Sequence, residues 1–523
     1  MSEVAAQGLT LGPRVHPGRL FVAGCIALTS GSAMFAITSD IAGALKTQFI
    51  LSNEQTGLLL GWTGWGFTIG MFILGPLCDG LGMRLVLRLA LVFHAVGVLL
   101  MIFADGFWML FAGALINTLG SGAVEAACNP LIATIYPDKK THKLSQFHMW
   151  FPGGIVLGGL GCYFLAKAGF NYWQLKLALV LIPTVAYGIL FTGQSFPLTE
   201  RVQSGVSFGG MFKETLFRPL FLVLLVCMML TASLELGPNR WVPAVLEAGG
   251  IPGILVLVWV TGLMAVLRFF CGPVVRFFSD TGLLLVSAIV GGVGLLALSF
   301  SSDLWMVAIS ATVFAFGVCY FWPTMLGTVA ERVPKGGALA LALLGGMGSL
   351  FVNTVTTPLM GYAADVYLHR ELVAKGTADG VPMNHERETV EVLQKIDTTY
   401  AAWEAALGMS RQDDVTRREI AVARADVGAV LRAWQANGFL PEIATANALR
   451  SAIKNGPGGS EGAPAGDAER AALEAKQAAA AILNPADNKG GLIAFRWVAP
   501  ISIVLALVFG AMYFQDRRRR AKH

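Results

Sequence analysis

An acidic side chain, Glu125, stands inside the long apolar run 107–136. An ionised carboxylate in hydrocarbon costs at least about 2.5–3.5 kcal/mol on insertion scales, so such an acid must line a cavity, pair with a cation or hold a proton. Asn117, Ser121, Glu125 and Asn129 follow one another at a spacing of four residues, which predicts that all four share one helix face. The pattern indicates a polar pathway open to water; the alternative is a seam of hydrogen bonds between helices.

A similar polar stripe lies in the run 217–246, where Glu235 and Asn239 are again four residues apart. Pro238 interrupts this run, and the carbonyl that a proline frees is useful to a gate or a binding site. The amide of Asn239 suits recognition of hydroxyl groups. Glu235 has the alternative of pairing with Arg240 near the end of the helix.

The run 304–331 supplies aromatic and hydroxyl side chains, because Tyr320 and Thr324 share a stripe with Trp322 beside them. Pro323 would loosen this helix. Aromatic faces suit the C–H faces of a sugar, whereas amides and hydroxyls suit its hydroxyl groups. The predicted solute-binding set is Asn117, Ser121, Asn129, Glu235, Asn239, Tyr320, Trp322 and Thr324.

Three more polar residues in apolar runs have two interpretations each. Asp40 lies about 30 Å along the first run from its start, where a solvated interfacial acid is the simpler interpretation. Arg268 either gates the pathway or snorkels to the inner surface. His148 either titrates and donates to solute or serves the entry of its helix.

The elements that position these residues must be membrane helices. Hydrophobic residues make up 55% of the 523, charged residues only 14%, and the mean hydropathy is +0.63, which excludes an ordinary soluble protein. Apolar runs of about 20 residues predict twelve spans. These lie at 20–45, 55–78, 84–104, 107–136, 146–169, 174–193, 217–246, 251–277, 282–301, 304–331, 336–364 and 491–514.

Loop charge predicts the orientation. Lys and Arg concentrate in alternate loops, such as 139–143 and 332–335, and in the tail 517–520, so these should lie in the cytoplasm together with both termini. The seven cysteines form no CxxC or Cys/His cluster, which predicts no metal site and no cofactor. We also expect no enzyme activity and no nucleic-acid partner.

The chain repeats itself. Shifting it by 197 residues aligns Gly75-Pro76 with Gly272-Pro273, Trp108-Met109 with Trp305-Met306, and several further Gly and Pro positions without a gap. Two parallel six-span halves are a common transporter plan, in which the solute binds between the halves and access alternates. The predicted fold is therefore an all-α membrane protein of two pseudo-symmetric six-helix halves.

The loop after the second run carries Gly75-Pro-Leu-Cys-Asp79-Gly-Leu-Gly82-Met-Arg84. It resembles the G-x-L-x-D-x-x-G-R-[RK] signature of the major facilitator superfamily, although Met83 replaces a basic residue. The resemblance implies a cytoplasmic gate formed by Gly75, Asp79, Gly82 and Arg84.

A narrower resemblance begins at Glu125-Ala-Ala-Cys-Asn-Pro, which is similar to the E-x-A-x-N-P segment of the fucose permease type of sugar/proton symporter. Segments 146–154, 235–241 and 321–325 are similar to other sugar permeases of that group. The resemblance implies proton coupling by Glu125 together with the acid of the first span, Asp40.

The segment 365–490 differs in composition, with 18 acidic and 14 basic residues, so it should be soluble and, by the predicted orientation, extracytoplasmic. Val390, Leu393, Ile396 and Tyr400 follow helical spacing, as in a small helical bundle. A spacer and a solute-gathering or partner-binding cap are both open. The predicted domains are 1–193 (first half), 194–216 (cytoplasmic linker), 217–364 (spans seven to eleven), 365–490 (insertion) and 491–523 (last span and basic tail).

These patterns predict a proton-coupled importer of a neutral polyhydroxylated solute, most simply a monosaccharide, in a bacterial cytoplasmic membrane. Its partners would be the solute, protons and lipid. An exporter, a permease for another small solute and a membrane sensor that uses the insertion are the alternatives. The sequence leaves the particular solute, the stoichiometry, the direction and the oligomeric state open, with a monomer as one option.

Overall fold

The computed structural model describes residues 15–49, 63–170, 172–203, 205, 207–251, 253–378, 381–408, 411–458 and 466–520. Within these residues the regular secondary structure is helical apart from a two-stranded hairpin. In the part of the chain that the structure describes, eleven helices are long and apolar enough to cross a membrane, and a helix pair bent by 69° gives a twelfth when it is taken as one span. The twelve-span prediction agrees with this arrangement. The part of span two before Thr63 lies outside the described residues.

Six spans form the first half, and two of them are broken. Span five breaks at Met149, in front of Pro152, and span six breaks between Ala178 and Leu181. The spans are Pro17–Gln48, Thr63–Leu81, Met83–Ile102, Phe107–Ile135, Lys140–His148 with Trp150–Lys167, and Trp173–Ala178 with Leu181–Phe191. A short 3-10 helix, Pro137–Lys139, precedes span five, and two linker helices, Glu200–Gln203 and Phe208–Leu216, follow span six.

Spans eight and ten of the second half are also broken, although their counterparts under the repeat, spans two and four, are continuous within the described residues. The two pieces of span eight meet at Phe270, and span ten breaks at Cys319–Tyr320, four residues before Pro323. Spans seven to eleven are Pro219–Ala248, Gly253–Phe269 with Cys271–Phe278, Asp280–Leu298, Leu304–Val318 with Phe321–Arg332, and Gly337–Phe351 with Thr357–Leu372. A 3-10 helix, Pro334–Gly336, precedes span eleven, and a π-helical turn, Val352–Thr356, joins its two parts.

Close glycine contacts are repeated between the two halves. A Cβ on Gly97 would overlap the backbone of Asn117, and a Cβ on Gly294 would overlap the backbone of Phe314. Both pairs are related by the same shift of 197 residues that aligns the sequence. Spans three and four therefore pack as spans nine and ten do, through small residues that let backbones approach.

The segment after span eleven begins with an antiparallel hairpin of strands β1 (Lys375–Ala378) and β2 (Val381–Asn384). Helices His385–Ala406, Arg411–Asn437 and Glu442–Asn455 follow, and a long helix, Asp467–Val498, leads into the last helix, Ile501–Arg520. Val390, Leu393, Ile396 and Tyr400 are buried in one hydrophobic cluster of this segment.

This helical segment is joined to the second half rather than hinged to it. Its hydrophobic cluster includes Leu368 and Leu372 of span eleven. The amide of Asn488 donates to the carbonyl oxygen of Val245 in span seven at 2.7 Å, and Gly490 packs against the backbone of Ala364. The last span therefore begins as a continuation of a helix of the bundle.

Candidate solute site between the two halves

A buried ion pair lies at the middle of the second half. Arg268 of span eight donates through Nη2 to Oε1 of Glu235 in span seven at 2.7 Å, and each side chain is only 3% exposed. The alternative pairing of Glu235 with Arg240 is not formed, because Arg240 binds the side chain of Asn353 in span eleven. Arg268 therefore does not snorkel to the surface.

The guanidinium of Arg268 also binds two backbone carbonyls. Its Nε donates to the carbonyl oxygen of Cys319 at 2.6 Å, and Nη1 donates to that of His148 at 3.1 Å. Each carbonyl lies four residues before a proline, Pro323 and Pro152 respectively. Because proline has no N–H, neither carbonyl has its usual helical donor, and the guanidinium satisfies both.

Glu125 lies in the first half in different surroundings. Its side chain is 4% exposed, and its carboxylate accepts from the amide of Asn129 at 3.5 Å. The other end of that amide, Oδ1 of Asn129, lies 3.0 Å from Nε2 of His148. Among the described residues no cation lies within ion-pair distance of Glu125, since the nearby Arg268 pairs with Glu235.

Trp322 lies close to both carboxylates, Glu125 and Glu235. Its indole Nε1 lies near the carboxylate of Glu125 without completing a hydrogen bond, and its backbone N–H faces Glu235. The ring of His148 lies 6.5 Å from that of Trp322, centre to centre. The structure thus brings Glu125, Asn129, His148, Glu235 and Trp322 together from both halves.

Several buried polar atoms of this region have no hydrogen-bond partner within the described residues. A buried polar group usually has one, so atoms of this kind are candidate contacts for a polar solute. Five of them belong to the solute-binding set predicted from sequence. They are Oδ1 of Asn117, Oε2 of Glu235, Oδ1 of Asn239, Nε1 of Trp322 and Oγ1 of Thr324.

Three of the predicted residues, Asn117, Ser121 and Tyr320, also make contacts between helices. Asn117 donates to the carbonyl oxygen of His94 in span three at 3.3 Å, and the Ser121 hydroxyl lies 3.2 Å from Nε2 of the same histidine. The phenol of Tyr320 donates to the carbonyl oxygen of Leu267. The first part of the polar stripe in span four therefore takes part in the hydrogen-bonded seam that was its alternative interpretation.

A polar cluster that the sequence analysis missed lies beside that seam. Nδ1 of His94 is 3.0 Å from the hydroxyl of Tyr187 in span six, and both side chains are fully buried. The sequence feature that could have predicted this cluster is a histidine, His94, inside the apolar run of span three.

Asp40 lies apart from this group, in the C-terminal third of span one. It is 40% exposed and its carboxylate accepts from Nζ of Lys176 in span six at 2.6 Å. Its contact partner is thus Lys176, a half-buried cation, rather than one of the buried site residues.

Comparison with known proteins identifies the family. The Major Facilitator Superfamily model matches residues 20–282, which is half of the chain. The chain belongs to this superfamily. It is an integral membrane protein, and the superfamily is one of transporters rather than enzymes.

Relatives within the superfamily include sugar transporters. A hexose transporter of Saccharomyces cerevisiae is 29% identical over 153 residues, which cover 28% of this chain and 27% of that protein. A D-xylose transporter of Levilactobacillus brevis is 30% identical over 161 residues, covering 30% and 34%. The matches thus span about a quarter to a third of the relatives' length.

Solved structures of the superfamily show the same fold. A proton:xylose symporter bound to 6-bromo-6-deoxy-D-glucose matches with a TM-score of 0.57 at 16% identity, over 68% of this chain and 90% of that one. The E. coli fucose:proton symporter matches with 0.54 at 15% identity, over 66% and 92%. A bacterial homologue of the human lysosomal transporter Spinster matches with 0.55 at 14% identity, over 95% and 98%.

The superfamily signature loop joins the two halves at the end predicted to be cytoplasmic. Asp79 accepts from the backbone N–H of Ala338, at the start of span eleven, at 3.3 Å and also binds Thr199. Gly75 packs directly against Ala342. Gly82 has a positive φ of 84° and ends span two, whereas Arg84 is exposed at the start of span three.

Proposed function

We propose that this protein is a proton-coupled importer of a neutral monosaccharide that works by alternating access. The relatives named as hexose and xylose transporters support a sugar as the solute. The proposed location is a bacterial cytoplasmic membrane with both termini in the cytoplasm, in keeping with the basic loops and tail.

The observation that carries the proposal is the contrast between two buried carboxylates. Glu235 is paired with a cation, whereas Glu125 has an amide and no cation within ion-pair distance among the described residues. Buried pairs of acids in contrasting surroundings take different roles. Glu125 is the proton carrier, because its protonation removes the cost of a lone buried charge, and Glu235 stays ionised as an acceptor.

The solute contacts come from both halves. Oε2 of Glu235 and Oδ1 of Asn239 accept from hydroxyl groups, the indole N–H of Trp322 and the hydroxyl of Thr324 donate, and Asn129 contributes from span four. The indole face of Trp322 stacks on the C–H face of the ring. Because Arg268 balances Glu235, protonation of Glu125 leaves these three side chains without net charge, and this favours a neutral solute.

Contacts at the signature-loop end support alternating access. The bond of Asp79 to Ala338 and the bond from Nζ of Lys140 to the carbonyl oxygen of Ala330 hold the two halves together there. Opening this end to the cytoplasm requires these bonds to break. Asp40 remains the second proposed coupling residue, and the bundle between spans eleven and twelve is proposed to be an extracytoplasmic spacer.

Counterflow in proteoliposomes tests the proposal. Vesicles loaded with one unlabelled sugar from a panel of neutral hexoses, pentoses and deoxyhexoses are diluted into the same labelled sugar, and we expect transient accumulation of label for at least one member. A sensor would give no counterflow with any solute. Counterflow with acidic or amino solutes and with none of the sugars would contradict the proposed solute class.

A further inference from the structure

We infer that Arg268 is a tie between the two halves that favours the conformation closed at the signature-loop end. This inference rests on the proposed function in one respect, since it requires the halves to alternate between two arrangements. It concerns the conformational equilibrium of the protein, not the chemistry of the solute.

The tie consists of Arg268, Glu235, the carbonyl oxygens of His148 and Cys319 and the hydroxyl of Ser145. Two of its bonds cross between the halves, because His148 and Ser145 belong to span five. Nη1 of Arg268 donates to the carbonyl oxygen of His148, and the Ser145 hydroxyl donates to the carbonyl oxygen of Arg268 itself at 3.1 Å.

Backbone breaks make this arrangement possible. The carbonyl of His148 is available because Pro152 cannot donate to it, and the carbonyl of Arg268 is available because its helix ends at Phe269. An arginine is needed because its planar fork carries donors in several directions, whereas the ammonium of a lysine is a single point. Glu235 holds the fork in place and balances its charge.

The position of the tie relates it to the closed end. Ser145 and His148 lie on the same helix, Lys140–His148, whose first residue binds the carbonyl oxygen of Ala330 across the halves. His142, on the same helix, packs against Gly272 of span eight. Separating the halves at this end must therefore strain or break the bonds made by Ser145 and Arg268.

Distances between the two halves, measured in purified protein without any solute, test this inference. Spin labels on introduced cysteines at Asp138 and Lys335, exposed positions related by the repeat, report on the signature-loop end. Labels at Asp105 and Ser302, related in the same way, report on the opposite end. The seven native cysteines are buried, which keeps the label on the introduced sites.

Two changes to Arg268 test the tie directly. In Arg268→Lys the crossing bond to His148 is lost while the charge stays, and in the double variant Arg268→Gln/Glu235→Gln the buried charges remain balanced, so folding is preserved. Hydrogen bonds from a charged group are strong enough that losing one should shift the ratio of the two conformations about tenfold. We expect longer Asp138–Lys335 distances and shorter Asp105–Ser302 distances in both variants.

A variant that restores the missing backbone donor completes the test, together with a matched control. Pro152→Ala restores an N–H for the carbonyl of His148, so the distances should shift in the same direction by a smaller factor. Pro130→Ala makes the same repair for the carbonyl of Ala126, which is bonded to the thiol of Cys78 within the first half, and it should leave the distances unchanged.

Unchanged distances in both Arg268 variants would overturn the inference and make this contact a pivot common to both conformations. A shift in Pro130→Ala equal to that in Pro152→Ala would also overturn it. The proposed function fails separately, by the absence of sugar counterflow in the parent protein, whatever the distances show.

Discussion

Arg268 and Glu235 form a buried ion pair, with 2.7 Å between Nη2 and Oε1 and 3% exposure on each side chain. The pair connects spans seven and eight and faces span ten through the backbone of Cys319. Breaking a buried pair by removing one partner leaves an uncompensated charge, which costs more than the pair itself contributes.

Glu235→Gln should therefore lower the free energy of unfolding by roughly 3–5 kcal/mol, because it leaves the guanidinium of Arg268 buried without its carboxylate. Thermal unfolding of the purified protein, followed by intrinsic fluorescence, measures this loss. The double variant Glu235→Gln/Arg268→Gln should recover part of it. A single variant as stable as the parent would mean that Arg268 finds another acceptor.

The sequence could predict the spans and the residue types of the site, because apolar runs and isolated polar residues inside them are local patterns. It could not predict the pairing of Arg268 with Glu235, since the two lie on different helices and meet only when these pack. The helix of span eleven continues to Leu372, beyond residue 364, where the apolar run ends. Hydropathy falls where the helix leaves the bilayer, although the helix itself continues.

The polar stripe of span four shows a second limit of sequence patterns. A spacing of four residues advances a side chain by about 40° beyond a full turn, so three such steps rotate the direction by roughly 120°. This explains why Asn117 and Ser121 contact span three, whereas Asn129 contacts His148 of span five and Glu125 lies near Trp322 of the second half. Residues four apart share a face over two turns but not along a whole span.

Trp322→Ala should weaken binding of the transported sugar about tenfold or more, because it removes both a stacking surface and an indole donor. Asn239→Ala should weaken binding through the loss of a hydroxyl acceptor. Binding is measured by isothermal titration calorimetry on purified protein, because this method does not depend on tryptophan fluorescence. Trp305→Ala, at a position that is 79% exposed, is the matched control and should leave affinity unchanged. Unaltered sugar affinity in both Trp322→Ala and Asn239→Ala would contradict the proposed stacking site.

The inserted bundle should face the extracytoplasmic side. A cysteine introduced at the exposed Gly458 should react with a membrane-impermeant maleimide in intact cells, whereas one at Asp138 should react only after the cells are opened. The buried native cysteines give a low background. Labelling of Gly458→Cys exclusively in opened cells would contradict the orientation.

Asp40→Asn should change the free energy of unfolding by less than about 1 kcal/mol, because its pair with Lys176 is partly exposed. Thermal unfolding of this variant beside Lys176→Gln measures the effect. A loss as large as that of Glu235→Gln would show that the pair of Asp40 with Lys176 is a major structural contact.

Glu125 is proposed to carry the coupled proton. Glu125→Gln keeps the shape and hydrogen-bonding capacity of the side chain but cannot release a proton. Counterflow and uphill uptake are compared in the same proteoliposomes under an imposed pH gradient, with Asp40→Asn measured in parallel. Glu247→Gln, which removes an exposed carboxylate, is the control and should behave as the parent does.

We predict that Glu125→Gln retains counterflow of the sugar but no longer concentrates it when the pH gradient is applied. If Glu125→Gln concentrates the sugar as well as the parent protein does, Glu125 is a structural hydrogen-bonding residue and the proposed coupling site is contradicted.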